Sequence, residues 1–476
     1  MTPSRYRSWY LLLCLAAATG EVRAQSTQPS IVASSAPEAL QYLLDRNIQP
    51  SAGPLTGDGA TIAGVLAGQS LTFPMASSSG AFVSVPLSGF GPPIPVSASG
   101  NFGPLFAERG LTNGPGNLSL SLHYQYKVWR SVSGIKLRGF DLSGRSVFRE
   151  SDDLPQGTTD DFTADIDFRT HVLVVAANYG VFRFLDVGVS LPYVQSTVKG
   201  TKVGTRTIPR GPATVRAKQA VSGQSSGIGD PIIRVKGRIE TLGFAGSARV
   251  LRDVLQVAAG YDLRLPTGKT ATLVLDCARP PCANADTQEV PDIGLGVVTH
   301  KWSLFLSSEK GRLSPHANIS YVRVPPYVCS ERRFGSNGRC RGTIFEIDPI
   351  NGNQDAKNQN LSNEWNATLG VDYQLRPFRS TISADVIGRQ LIRAGQFYDG
   401  PARLVVRDSG PSQTISTRIE SRHGNVNTAV GVVGAKVAIH QRWVIVGNLL
   451  FPLNSAGLQP MASWVIGLER AITHDR

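Results

Sequence analysis

Large apolar residues recur at every second position through most of this chain, and that period decides what it can fold into. Leu118, Leu120, Leu122, Tyr124, Tyr126 and Val128 alternate with Ser119, Ser121, His123, Gln125 and Lys127. Successive side chains of a strand point to opposite faces, so such a run has one apolar and one polar face. Phe162, Ala164, Ile166 and Phe168 likewise oppose Asp165, Asp167, Arg169 and His171. Ile233, Val235 and Ile239 oppose Arg234, Lys236 and Arg238, and Tyr261, Leu263 and Leu265 oppose Asp262 and Arg264. The runs mark about twelve strands: 118–130, 162–177, 184–195, 228–241, 251–266, 291–308, 313–325, 363–376, 380–393, 425–439, 443–453 and 461–472.

The connections sort by parity. Those at 131–161, 196–227, 267–290, 326–362 and 394–424 are long, while those at 178–183, 242–250, 309–312, 377–379 and 440–442 are short; only the last, 454–460, is shorter than the scheme expects. An up-and-down barrel in an outer membrane has short periplasmic turns and long extracellular loops, so strict alternation is its signature. A secreted β-sandwich also alternates apolar and polar residues, but its strands usually span about 5–6 residues and its loops need not sort. These strands approach the ~9–11 residues that cross a bilayer obliquely. The expectation is an all-β fold, a transmembrane up-and-down antiparallel β-barrel of about 12 strands (12–14), with both termini periplasmic. Trp129, Tyr193, Trp302, Tyr327 and Trp443 lie near strand ends, where interfacial girdles sit. One signal is weaker: the last aromatic is Trp464, whereas many such barrels finish on an aromatic residue.

Composition agrees. Only 17% of residues are charged and 49 are glycine, while mean hydropathy is −0.07. These values argue against a disordered chain. Dispersed apolar residues leave no run of ~20 for a membrane helix after the first segment. The net charge of +13 is scattered rather than gathered in stripes, so nucleic acid is not an expected partner.

Residues 1–24 read as a signal peptide: Arg5 and Arg7, an apolar run from Trp9 to Ala18, then Val22-Arg23-Ala24. Cys14 leaves with it. In an exported chain, Cys277, Cys282, Cys329 and Cys340 read as two disulfides in long loops rather than a zinc site. Pairing within 277/282 and within 329/340 is the simplest of three connectivities. Residues 25–117 differ from the barrel region, 118–476. Pro37 to Ile48 has helical spacing at Leu40, Leu43, Leu44 and Ile48, and Asp58 is the one charge between Asn47 and Ala107. The stretch reads either as a plug inside the barrel or as a periplasmic leader.

The polar faces supply the lumen-lining candidates: Asp165, Asp167, Arg169, His171, Arg234, Lys236, Arg238, Asp262, Arg264, Asp372, Asp385 and Arg389. A charge in mid-membrane must face inward, since lipid exposure of Arg or Lys costs ~2–4 kcal/mol. These residues either select solutes or fill a rigid barrel with salt bridges. Gly223-Gln224-Ser225-Ser226-Gly227 matches G-x-S-x-G, but a nucleophile elbow joins a strand to a helix. Here it reads as loop glycine and serine. Ser119 or Ser121 with His123 on one polar face is the remaining enzymatic arrangement, with no third member. No metal or cofactor motif is present in the sequence.

Gly227-Ile228-Gly229-Asp230-Pro231 opens a strand. Leu263-Arg264-Leu265-Pro266-Thr267-Gly268 and Leu313-Ser314-Pro315-His316 follow, with Phe102 to Arg109 before the barrel and Leu449 to Leu453 near its end. Over residues 100–470 this pattern resembles outer-membrane transporters named for the meta pathway of phenol degradation, which are distantly like long-chain fatty-acid channels. The resemblance implies uptake of hydrophobic or aromatic compounds and no catalytic residues. The leading expectation is a passive outer-membrane channel for small solutes. Its partners would be outer-membrane lipid, the barrel-assembly machinery and a small-molecule solute, and it would need no cofactor. The alternatives are a structural or adhesive barrel and a lipid-hydrolysing barrel.

Overall fold

Every strand predicted from the period of two has a counterpart in the computed structural model, and twelve strands close into one antiparallel barrel. The structure describes residues 26–27, 30–45, 57–71, 83–85, 94–96, 107–142, 144–147, 159–207, 215–239, 255–276, 286–308, 312–324, 340–341, 362–375, 379–406, 413–440 and 442–472. The wall runs β1 (Leu118–Val132), β2 (Thr159–Phe182), β3 (Leu185–Thr207) and a broken β4 (Val215–Ile228 with Ile232–Arg238). It continues with β5 (Leu255–Arg264), β6 (Thr299–Ser308), β7 (Leu313–Arg323) and β8 (Glu364–Leu375). The last four are β9 (Ser380–Val406), β10 (Gln413–His440), β11 (Trp443–Pro452) and β12 (Leu458–Ile472). β12 pairs back onto β1, with Ile472 opposite Leu118, which leaves no free edge in the spanning wall.

A band of apolar side chains covers the outside of the barrel. Leu369 and Met461 are each 65% exposed, and Ile466 is 55% exposed. So large a contiguous apolar surface belongs in lipid. Aromatic residues edge the band on the long-loop side. Tyr124, Tyr126, His171 and Trp464 cluster there, and Tyr261, Trp302, Tyr321 and Trp365 follow one another across four adjacent strands. One expected girdle residue differs. Trp129 points inward, 4% exposed, and donates from Nε1 to Thr170 Oγ1 at 2.9 Å. Trp443 lies at the short-turn end under Arg470. Tyr327 falls outside the described residues.

The aromatic edge marks an inversion of polarity that the sequence reading missed. On the outward face of β3, Val187, Val189, Leu191 and Tyr193 give way to Gln195, Thr197, Lys199 and Thr201. On β2, Tyr179, Val175 and Leu173 give way to His171, Arg169, Asp167 and Asp165 on the same face. Below the edge the strand is apolar outside and polar inside. Above it the arrangement reverses, because the outside meets water and the inside meets packed helices. Residues 196–207, 215–227, 394–406 and 413–424, expected as loop, are strand.

The inward apolar wall above the edge packs on the N-terminal segment. Helix α1 (Ala36–Leu44) starts at Ser35, whose side chain accepts from Glu38 N, and Glu38 in turn accepts from Ser34. Leu40, Leu43 and Leu44 are fully buried among Phe162, Ala164, Ile166, Phe168, Val198 and Val221. α2 (Gly57–Ser70) joins the same core through Ile62, Val65 and Leu66. Residues 31–33 run parallel to β4 at 221–223. This described stretch therefore lies toward the long-loop side of the barrel. The two barrel ends, Leu118 and Ile472, meet at the short-turn rim.

Candidate functional site

Below the helices the lumen is polar, and residues 107–117 descend through it to reach β1. Their polar atoms are matched to the wall at successive levels. Glu108 accepts from Arg234 Nη1 at 2.6 Å and from Lys236 Nζ at 3.0 Å. Arg234 also forks onto Asp262, with Nε–Oδ1 at 2.5 Å and Nη2–Oδ2 at 2.7 Å. Arg109 donates to Asp372 at 3.0 Å. Gly110 N donates to Ser307 Oγ, and Asn113 N donates to both Asp186 oxygens. A Cβ on Gly110 would strike the Gln256 backbone, so the strap lies flat against the wall.

Two further buried clusters line the same storey. His316 Nε2 is 2.6 Å from Asp385 and its Nδ1 is 3.5 Å from Asp372. Gly370 opposes both, leaving the space a methyl group would take from that pair. Lys436 Nζ donates to both Glu469 oxygens at 2.9 and 3.2 Å, and His123 Nε2 lies 3.5 Å from Glu469. His123 Nε2 faces Glu469, and neither His123 nitrogen is hydrogen-bonded to Ser119 or Ser121.

Above the strap, a cavity of about 340 Å³ separates it from α2. Val65, Leu71, Trp129, Phe451 and Leu458 form apolar parts of its lining, and Gln125, Lys127, Glu364 and Arg389 are among the polar ones. Arg389 Nη2 contacts Glu364 at 2.6 Å. Asp230 anchors the mouth: it accepts from Gly268 N at 2.8 Å, Leu295 N at 2.7 Å and Arg264 Nε at 3.2 Å. The G-I-G-D and L-P-T-G segments are thus two halves of one contact. Gly268 and Gly294 lie so close that a Cβ on either would meet the other's backbone and Asp230.

The structure divides the twelve sequence candidates. Arg234, Lys236, Asp262, Arg264, Asp372, Asp385 and Arg389 share the inward face. Arg238 is half-buried at the short-turn end, where its N–H meets Phe184 O. Asp165, Asp167, Arg169 and His171 must be corrected: they point outward at or above the aromatic edge, with Arg169 paired to Asp167 and 49% exposed. Their inward partners are the apolar residues that cover α1. Glu108, Arg109, Asp230, Lys127, His316, Lys436 and Glu469 were not singled out as lumen residues. A basic or acidic residue in the inward register of a spanning strand was the available signal for the last four. The G-x-S-x-G match is structural and lies in β4 rather than a loop: Ser225 Oγ accepts from Ala36 N at 2.9 Å at the start of α1. Cys277, Cys282 and Cys329 lie outside the described residues, as does the signal segment. Cys340 pairs through its backbone with Gln288.

Lys202 closes the other end of α1, donating to Tyr42 O at 3.0 Å and Asp45 O at 2.7 Å. Burial lowers its pKa to about 8, partly opposed by Asp45. An undocked Lys202 would return toward 10.5 and bind its proton more readily. Helix docking therefore carries the full cost of the charge below pH 8 and strengthens as pH rises toward 10.5. The gain approaches about 3 kcal/mol at 1.36 kcal/mol per unit. A nitroxide placed at Val32, which is 80% exposed, should become less mobile between pH 7.5 and 10. Greater mobility over that range would contradict the assignment.

Fold and site together define a closed membrane barrel that holds α1, α2 and the strap 107–117 on its inner side. No family model matches the chain, and no curated protein matches it. Solved structures that match include an outer-membrane channel from Pseudomonas putida F1, at 11% identity over 76% of this chain and 97% of that one, with a TM-score of 0.41. The Ralstonia pickettii toluene transporter TbuX matches at 11% identity over 76% and 90%, TM-score 0.30. The translocator domain of the Neisseria meningitidis autotransporter NalP matches at 9% over 76% and 90%, TM-score 0.27. These likenesses are too distant to carry an argument about function.

Proposed function

We propose that this chain is an outer-membrane channel for small, apolar or aromatic solutes, with its short turns in the periplasm and its helices on the outer side. The observation that carries this reading is the cavity of about 340 Å³ between α2 and the strap. Its size falls in the range of small-molecule pockets, ~300–1,000 Å³. Its lining joins apolar side chains, among them Trp129, Leu71 and Phe451, to charged ones such as Lys127, Glu364 and Arg389, which suits a small ring that carries polar substituents. Transit is passive in this reading. A solute enters beside the helices, rests in the cavity and leaves when the strap yields. Arg234, Lys236 and Asp372 hold the strap, and the other inward charges grade the path.

Filling the cavity tests this. Val65→Trp and Leu458→Trp place an indole where the solute would rest. Saturable uptake of a monoaromatic probe into outer-membrane vesicles should fall roughly tenfold, equivalent to about 1.4 kcal/mol. Uptake equal to wild type in a folded variant would contradict the proposal.

A further inference from the structure

The short-turn rim carries a repeated feature that the lumen does not explain. Four of the six strands that rise from it are preceded within two residues by an exposed arginine: Arg183 before β3, Arg312 before β7, Arg379 before β9 and Arg442 before β11. Each of the four carbonyls is held, one by the strap and three by the wall. Arg183 O accepts from Thr112 Oγ1, Arg312 O from Gln374 N, Arg379 O from Ala438 N and Arg442 O from Ala471 N. Arg379 keeps its place at φ +45°, a conformation that glycine or asparagine adopts more cheaply. A fifth exposed arginine, Arg470, lies 4.9 Å over the Trp443 ring.

Among the described residues, the surroundings of this rim are largely apolar, and no carboxylate is exposed beside the four arginines. Phe182 and Phe184 flank Arg183, both exposed, with their rings stacked at 5.6 Å. Leu313 and Ile439 continue the lipid-facing band up to the rim. Among the described residues, the carboxylates nearest to it, Asp186, Asp372 and Glu469, are turned into the lumen and buried. The opposite rim is mixed in sign, with Asp165, Asp167 and Arg169 side by side.

We propose that this arginine ring binds the phosphates of anionic glycerophospholipids in the periplasmic leaflet. The charge complements phosphate, and a guanidinium fork grips two phosphate oxygens where an ammonium offers a point charge. The aromatic side chains set the depth at the headgroup level. The proposal rests on the orientation given above, with short turns toward the phospholipid leaflet. Its test does not depend on whether the lumen conducts.

The full chain is reconstituted in vesicles of phosphatidylethanolamine with phosphatidylglycerol, and the lipids retained after gentle detergent extraction are counted by native mass spectrometry. Wild type should retain phosphatidylglycerol above its bulk ratio. R183Q, R312Q, R379Q and R442Q should each weaken retention about fivefold at its own site, the equivalent of about 1 kcal/mol per basic residue. The quadruple variant should return to the bulk ratio, while Lys199→Gln on the opposite rim should change nothing. A bulk ratio in wild type, or undiminished enrichment in the folded quadruple variant, would overturn the proposal. Should the quadruple variant not fold, wild type alone decides. Its thermal midpoint should rise when phosphatidylglycerol replaces phosphatidylcholine, and 1 M salt should abolish the rise. An unchanged midpoint would refute the proposal.

Discussion

Arg234→Met should be the most damaging single change in the lumen. It leaves Asp262 and Glu108 buried with one guanidinium fewer between them, and removing one partner of a buried ion pair typically costs ~3–5 kcal/mol. Asp262 would keep Lys301, at 4.0 Å, and Glu108 would keep Lys236. Because Glu108 belongs to the strap and Asp262 to the wall, the loss separates two elements as well as weakening each. Hydrogen exchange at Gly110 and Asn113 should accelerate, and the thermal midpoint in detergent should drop. Arg234→Lys should fall between the two, since an ammonium cannot fork onto Asp262 while holding Glu108. Unchanged protection in Arg234→Met would show that the strap is held by other means.

Asp230→Ala should come close behind. It strands the Gly268 and Leu295 amides and leaves Arg264, 14% exposed, without the carboxylate it now meets. Each unsatisfied amide costs ~1–3 kcal/mol and the orphaned guanidinium more. The loss falls on the segment that carries Val290 and Ile293 against the N-terminal helices, so the mouth of the lumen should loosen before the wall does. Asp230→Asn should be milder, because one carbonyl oxygen still accepts. Proteolysis of residues 265–298 in intact vesicles measures this directly. Equal cleavage of Asp230→Ala and wild type would contradict the anchoring role.

Where the twelve strands lie was legible because the period of two survives every change of environment. Which face looks inward was legible only within the membrane. There, Arg234 and Asp262 occupy the polar register and Ile233 and Tyr261 the apolar one, as lipid requires. Above the aromatic edge the same period persists with its meaning reversed. Phe162 and Phe168 read as lipid-facing, whereas they cover α1, and Asp165 and Asp167 look into water. The clue was on β2 itself: Asp167 and Val175 share a parity and cannot both face lipid. The strap was harder to see. Glu108 and Arg109 end a stretch almost free of charge, and nothing local tells that their partners stand 126 and 263 residues away. Side chains that close such distances are fixed by the barrel's closure rather than by any motif.

The central claim is that the barrel is a channel whose lumen is obstructed by its own N-terminal segment. Planar-bilayer conductance of the wild-type chain and of a chain lacking residues 25–110 tests it most directly. The account predicts background current for wild type and discrete, stable open steps for the deletion. Background current from both, with the deleted barrel folded, would contradict it.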